Sequence, residues 1–228
     1  MQLDCYTSRY KPVVFLLATL FFNCVSSIPV YRSAENIEKG SLRSSSNAAM
    51  EIDIYSAEYL GSSGSRIQVS GMGSYLIEYG FSKKLNLGAN VFLSIGEGGA
   101  TLNLHYQLNE THAPLLHCAG LYTGYILSGL RHNFGNTIVL APEYMVDLNN
   151  GLFFGLRYIH RFVLHPDTVW FDGAYSQAPP YQITLETIFG YRKGNALLPL
   201  VIGYNPVYNW WQVWFGITAF KIYTFGRK

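Results

Sequence analysis

From Ser74 to Ile95 the chain reads SYLIEYGFSKKLNLGANVFLSI, and this alternation leaves few folds open. Leu85, Leu87, Ala89, Val91, Leu93 and Ile95 share one parity, with Asn86, Gly88, Asn90 and Ser94 between them. Successive side chains of an extended strand point to opposite faces, so the run is a strand with one apolar and one polar face. Just upstream, Ile67, Val69, Tyr75, Ile77, Tyr79 and Phe81 keep the same rhythm, and Ser82-Lys83-Lys84 alone separates the two runs. The pair reads as a long hairpin with a short charged turn. Its strands are long for a soluble sandwich and reach the roughly 9–11 tilted residues that a bilayer crossing needs.

Composition points the same way. Charged residues make up 13% of the 228 residues and aromatics 16%, with 18 Tyr and 22 Gly. A soluble domain carries about 25% charge. Mean hydropathy is only +0.11, and beyond the N-terminus no apolar run approaches the roughly 18 residues of a spanning helix. A Tyr- and Gly-rich chain of low charge without membrane helices fits a β-barrel in lipid. The alternative is a soluble all-β domain. The net charge of +2 comes with no basic patch, so nucleic acid is not expected as a partner.

Ten strands are predicted, over 50–59, 66–81, 84–96, 99–108, 117–130, 136–146, 151–163, 181–192, 196–206 and 211–225. Ser82–Lys84, Asp147–Asn150 and Lys193–Asn195 are tight turns on one side, where Asn109–Leu116 is longer. The longest connection, His165–Pro180, falls on the other. Short turns on the periplasmic side and long loops outside are the habit of outer-membrane barrels. Leu102, Leu104, Tyr106, Phe154, Leu156, Phe162, Leu185 and Phe215 take the bulky phase, while Asn103, His105, Arg157, Arg161 and Glu186 take the other. A soluble barrel would place bulk inside and charge outside. Tyr204, Tyr208, Trp210, Trp211 and Trp214 are expected at the outer interface, and Tyr79, Phe81, Tyr191, Tyr223 and Phe225 at the opposite one.

These features resemble the bacterial outer-membrane β-barrel class over almost the whole mature chain, without pointing to one family. The resemblance implies an antiparallel up-and-down transmembrane β-barrel in the cell outer membrane. Its expected partners are outer-membrane lipids and the outer-membrane insertion machinery. The last strand is similar to the C-terminal signal of such proteins in its alternating Val213, Phe215, Ile217, Ala219 and Tyr223. It departs by ending Phe225-Gly226-Arg227-Lys228.

Ahead of the barrel, Val13 to Val25 is apolar and follows Arg9 and Lys11, matching the core of a secretory signal and too short to span. Leu20-Phe21-Phe22-Asn23-Cys24 resembles the relaxed lipobox of bacterial lipoproteins, particularly the spirochaete type, although stricter versions want a small residue at Asn23. The resemblance implies a mature chain beginning at lipidated Cys24; cleavage after Ser26-Ser27 would discard that residue. The organisation expected is a signal peptide over 1–23, a polar tether over 24–49 and the barrel over 50–228. With Cys5 in the leader, Cys118 is left as a small core hydrophobe and no disulfide framework can form.

About ten strands enclose an interior that side chains can largely fill. The inward residues Glu78, Glu143 and Glu186 are expected to pair with Arg157, Arg161 and Arg192, because confined charges are costly unless paired. The function this favours is structural or surface interaction around a largely closed lumen. The alternative is a narrow path for ions or small solutes. The long loop, with Asp167, Trp170, Phe171, Asp172 and Tyr175, offers aromatic area for an extracellular protein or glycan. His160, His165, Asp167, Asp172 and Ser176 are raw material for a lipid-modifying enzyme, yet no G-x-S-x-G or H-E-x-x-H motif occurs. His112 and His117 lack metal-ligand spacing. No enzyme, metal or cofactor is expected, and a soluble periplasmic β-barrel lipoprotein is the remaining alternative.

Overall fold

The structure is a computed structural model that describes residues 28–30, 33–55, 66–94, 97–110, 113–128, 136–148, 150–164, 168–171, 174–177, 181–207 and 209–225. Its strands are β1 (Ser41–Tyr55), β2 (Arg66–Gly80), β3 (Leu85–Ser94), β4 (Glu97–Gln107), β5 (Leu115–Ser128), β6 (Thr137–Leu148) and β7 (Leu152–Val163). They continue as β8 (Thr168–Phe171), β9 (Ala174–Gln177), β10 (Tyr181–Lys193), β11 (Ala196–Asn205) and β12 (Trp210–Thr224). Ten of these close into one barrel in which each strand pairs antiparallel with its neighbours and β12 returns to β1. The remaining two, β8 and β9, pair with each other as a small hairpin inside the long connection. The ten-stranded up-and-down barrel expected from the alternation is the fold observed.

Register fixes the shape. A path across the ladders from Ser46 runs through Tyr75, Val91, Ala100, Tyr125, Ile138, Phe162 and Tyr181. It continues over β11 and β12 and returns to β1 about twelve residues beyond its start. With about 3.3 Å per residue along a strand and about 4.8 Å between strands, that stagger tilts the strands by about 40°. Strands of 10 to 15 residues then rise about 25–38 Å, enough for the ~25 Å apolar band of a membrane barrel.

The two faces are inverted relative to a soluble fold. Outward Leu102 is 64% exposed and Leu156 61%, whereas inward Glu78 and Gln107 are fully buried. Along β4 and β7 the buried and exposed positions alternate almost without a break.

Three sequence expectations need correction. The first strand begins at Ser41, not at 50, and the polar tether over 24–49 is not a tether where the structure describes it. The inner face of this barrel is polar, so Ser41, Arg43, Ser45 and Asn47 are buried inward positions that carry no hydrophobic period. Upstream of them, Ile28, Val30, Ala34 and Ile37 lie buried within the barrel. Glu97, expected in a turn, opens β4 with its side chain inward. Trp210 and Trp214, expected at the interface, are buried, because their parity on β12 is that of Gln212 and Thr218.

The described part of the N-terminal segment lies in the lumen from the tight-turn mouth to beyond its middle. Ile28 packs with Met72, Phe92, Ile126 and Ile159 in the half of the barrel nearer the long connections. Val30 and Ala34 join Leu116, Cys118, Phe153 and Trp214 lower down. At the tight-turn mouth Gly40 takes φ 80°, its N–H donates to Gly80 O (2.8 Å), and the chain reverses into β1.

Candidate functional site: a filled polar lumen

The inward positions of the sheet assemble a continuous belt of buried polar side chains. Glu143 on β6, Arg157 on β7 and Glu186 on β10 are register partners, so three adjacent strands set acid, base and acid side by side. Arg157 Nε donates to Glu186 Oε2 (2.7 Å) and its Nη1 to Glu143 Oε2 (3.4 Å). Tyr122 on β5 donates to Glu143 Oε1 (3.3 Å), and its ring lies under the Arg157 guanidinium. His105 Nε2 meets the same hydroxyl at 3.1 Å, while Nδ1 contacts Glu78 Oε1 at 3.2 Å, where the carboxylate can only accept. Glu78 also pairs with Arg43 of β1, its register partner. At the far side Gln212 on β12 donates to Glu186 Oε1 (3.1 Å). The belt thus runs from β1 through β2, β4, β5, β6, β7 and β10 to β12.

A second pair stands nearer the long connections, where Arg161 Nη1 donates to both oxygens of Glu97 at 3.3 Å. Asp53 and Glu51 are buried at the same end. Of the charges singled out in the sequence, Glu143, Arg157 and Glu186 therefore come together, Glu78 joins them through His105 and Tyr122, and Arg161 pairs with Glu97. Arg192 pairs with Glu35 of the N-terminal segment. Arg43, Glu97 and Glu35 were missed because the sequence reading set them in a tether or a turn. His105 was legible as inward, but nothing in its spacing marked it as the link.

The N-terminal segment is fastened by its backbone. Thr218 Oγ1 donates to Val30 O (2.8 Å), Ala34 N–H donates to Asp147 Oδ1 (2.8 Å), and Arg157 Nη2 donates to Ile28 O. A segment without sheet partners has its own N–H and C=O groups to satisfy, and inward side chains of the wall meet these three.

The other candidates lie elsewhere. His160 sits on the outer face of β7, its Nδ1 2.8 Å from Tyr158 Oη and its ring against Phe162 and Tyr181. His117 is outward near the tight turns, beside Tyr144. Trp170 and Phe171 belong to β8 and Tyr175 to β9, with Trp170 and Tyr175 in register. Cys24, His112, His165, Asp167 and Asp172 lie outside the described residues.

No family model and no curated protein matches the sequence. Among solved structures, the COG4313 outer membrane channel from Pseudomonas putida F1 aligns over 86% of this chain and 100% of its own, at 12% identity and TM-score 0.48. Outer membrane protein OprG from Pseudomonas aeruginosa aligns over 81% and 97%, at 13% identity and TM-score 0.36. Ail of Yersinia pestis, in complex with the heparin analogue sucrose octasulfate, aligns over 81% and 99%, at 9% identity and TM-score 0.31. Likeness at these levels lends no weight to any role.

Proposed function

We propose that this protein is an outer-membrane β-barrel with a closed lumen and a structural or surface-interaction role. The observation that carries this is the inversion of the faces: leucine and aromatic side chains outside, and a hydrogen-bonded charge belt inside. Outward apolar side chains ask for lipid as solvent, and a closed ring leaves no unpaired strand edge within it. Tyr79, Tyr106, Tyr191 and Tyr223 stand outward near the tight turns. Tyr125, Tyr181, Tyr204 and Trp211 stand outward towards the other end, which suits two headgroup levels. The belt and the N-terminal segment together fill the bore, which favours a closed barrel. The β8–β9 hairpin of the long connection contains Trp170, Phe171 and Tyr175, and a protein or glycan is the partner we favour for it.

The reading is tested by gel mobility in SDS before and after boiling. A folded, closed barrel is expected to migrate apart from its boiled form. Protein that runs alike in both lanes and stays soluble without detergent would overturn the membrane assignment.

A further inference from the structure

We propose that the described residues 28–30 and 33–38 act as a plug, and that the barrel around them is a cation-selective path. The proposal rests on the membrane reading above and adds an activity to it. Three observations point there.

The described part of the segment belongs to no strand and contributes no rung to the sheet. Its attachments are to wall side chains: polar contacts to Thr218, Asp147, Arg157 and Arg192, and apolar packing of Ile28, Val30 and Ala34. Every strand of the barrel keeps both of its ladders without it. The segment is thus an occupant of the lumen and not a stave of it.

Its place is the one that decides whether solutes pass. Val30 touches a cluster that reaches β5, β6, β7, β10, β11 and β12, so the segment fills the middle of the bore. Removing it would leave a bore lined by the polar belt, to which inward positions of eight strands contribute, together with apolar side chains such as Met72, Phe92, Phe153 and Trp214 that now pack on the segment. Water can follow such a wall as it follows the lumen of an open barrel.

Charge then sets what passes. The wall's ion pairs comprise Arg43, Arg157 and Arg161 against Glu78, Glu97, Glu143 and Glu186. Glu51, Asp53 and Asp147 add inward carboxylates, and Arg192 adds one guanidinium. Carboxylates outnumber guanidiniums along this wall. A narrow low-dielectric path with a net negative wall concentrates cations and repels anions.

The test uses two variants in planar bilayers under a potassium chloride gradient. One lacks residues 28–38. The other is full length with a specific protease site inserted between Lys39 and Gly40, at the exposed turn, so that the barrel folds around the segment before it is cut and washed out. Mass spectrometry checks loss of the segment, and the SDS mobility shift checks folding. Expected are no current steps from the uncut protein, and steps from either folded variant whose reversal potential lies on the potassium side. A folded barrel that has lost the segment yet stays silent, or that favours chloride, overturns the proposal and leaves the membrane reading intact. If neither variant folds without the segment, the segment is part of the fold and the proposal fails. An uncut protein that shows no mobility shift fails the membrane reading instead.

Discussion

Arg157 and Glu186 meet at 2.6 Å with both side chains fully sealed from solvent, and the same guanidinium reaches Glu143. A cation held between two buried carboxylates cannot be removed alone. Arg157→Ala should cost about 3–5 kcal/mol, because two charges lose their counter-ion in a place water does not reach. Urea unfolding in detergent micelles, followed by tryptophan fluorescence, measures it. Adding Glu143→Gln and Glu186→Gln to the same chain should restore much of the loss; no restoration would mean that Arg157 acts through packing.

Leu102 stands outward on β4, 64% exposed. In lipid, Leu102→Arg should cost about 2–4 kcal/mol, as a cation in the apolar band does. On a soluble barrel the same change would be close to neutral. Unfolding in phospholipid vesicles separates the two.

A methyl group at Gly120 would sit 2.6 Å from His105 Cδ2. Gly120→Ala should therefore push the imidazole off Glu78 and Tyr122 and destabilise by about 1–3 kcal/mol. His105→Ala combined with Gly120→Ala should show less than the sum of the two single changes, because the clash disappears with the ring. Thermal unfolding of the three variants reads this coupling.

Gly40 is a different case, with φ 80° and open space where a Cβ would be. Its replacement by alanine meets no neighbour, so the expected loss is the left-handed backbone cost alone, about 1–2 kcal/mol. A much larger loss would show that the turn also positions the segment that precedes it.

The barrel was legible because lipid-facing strands keep a strict two-residue rhythm of bulk, as in Leu102, Leu104 and Tyr106. Where that rhythm fades, sequence reading fails for a physical reason. The start of β1 sets Ser44 and Ser46 on one face against Ser45 and Asn47 on the other, so neither face stands out by hydropathy. Ile28, Val30 and Ala34 share a parity, but Arg32 interrupts it and Ile37 falls on the other, so too short a rhythm is left to mark residues that fill gaps among other strands' side chains. The belt was half legible: parity gave which charges point inward, and only register shows which of them meet. Trp210 and Trp214 misled because an aromatic near a strand end looks the same in sequence whichever way it faces.

The lodging of Ile28, Val30 and Ala34 inside a bore that β1 and β12 seal has a bearing on how the protein is made. The seam between the first and last strands joins opposite ends of the chain, and zipping it encircles the residues that precede β1. Either the leading segment is already laid in place when the seam closes, or it must thread a finished ring from one end. Any polypeptide fused ahead of Ile28 starts inside that ring, whereas one appended after β12 starts at the rim and obstructs nothing.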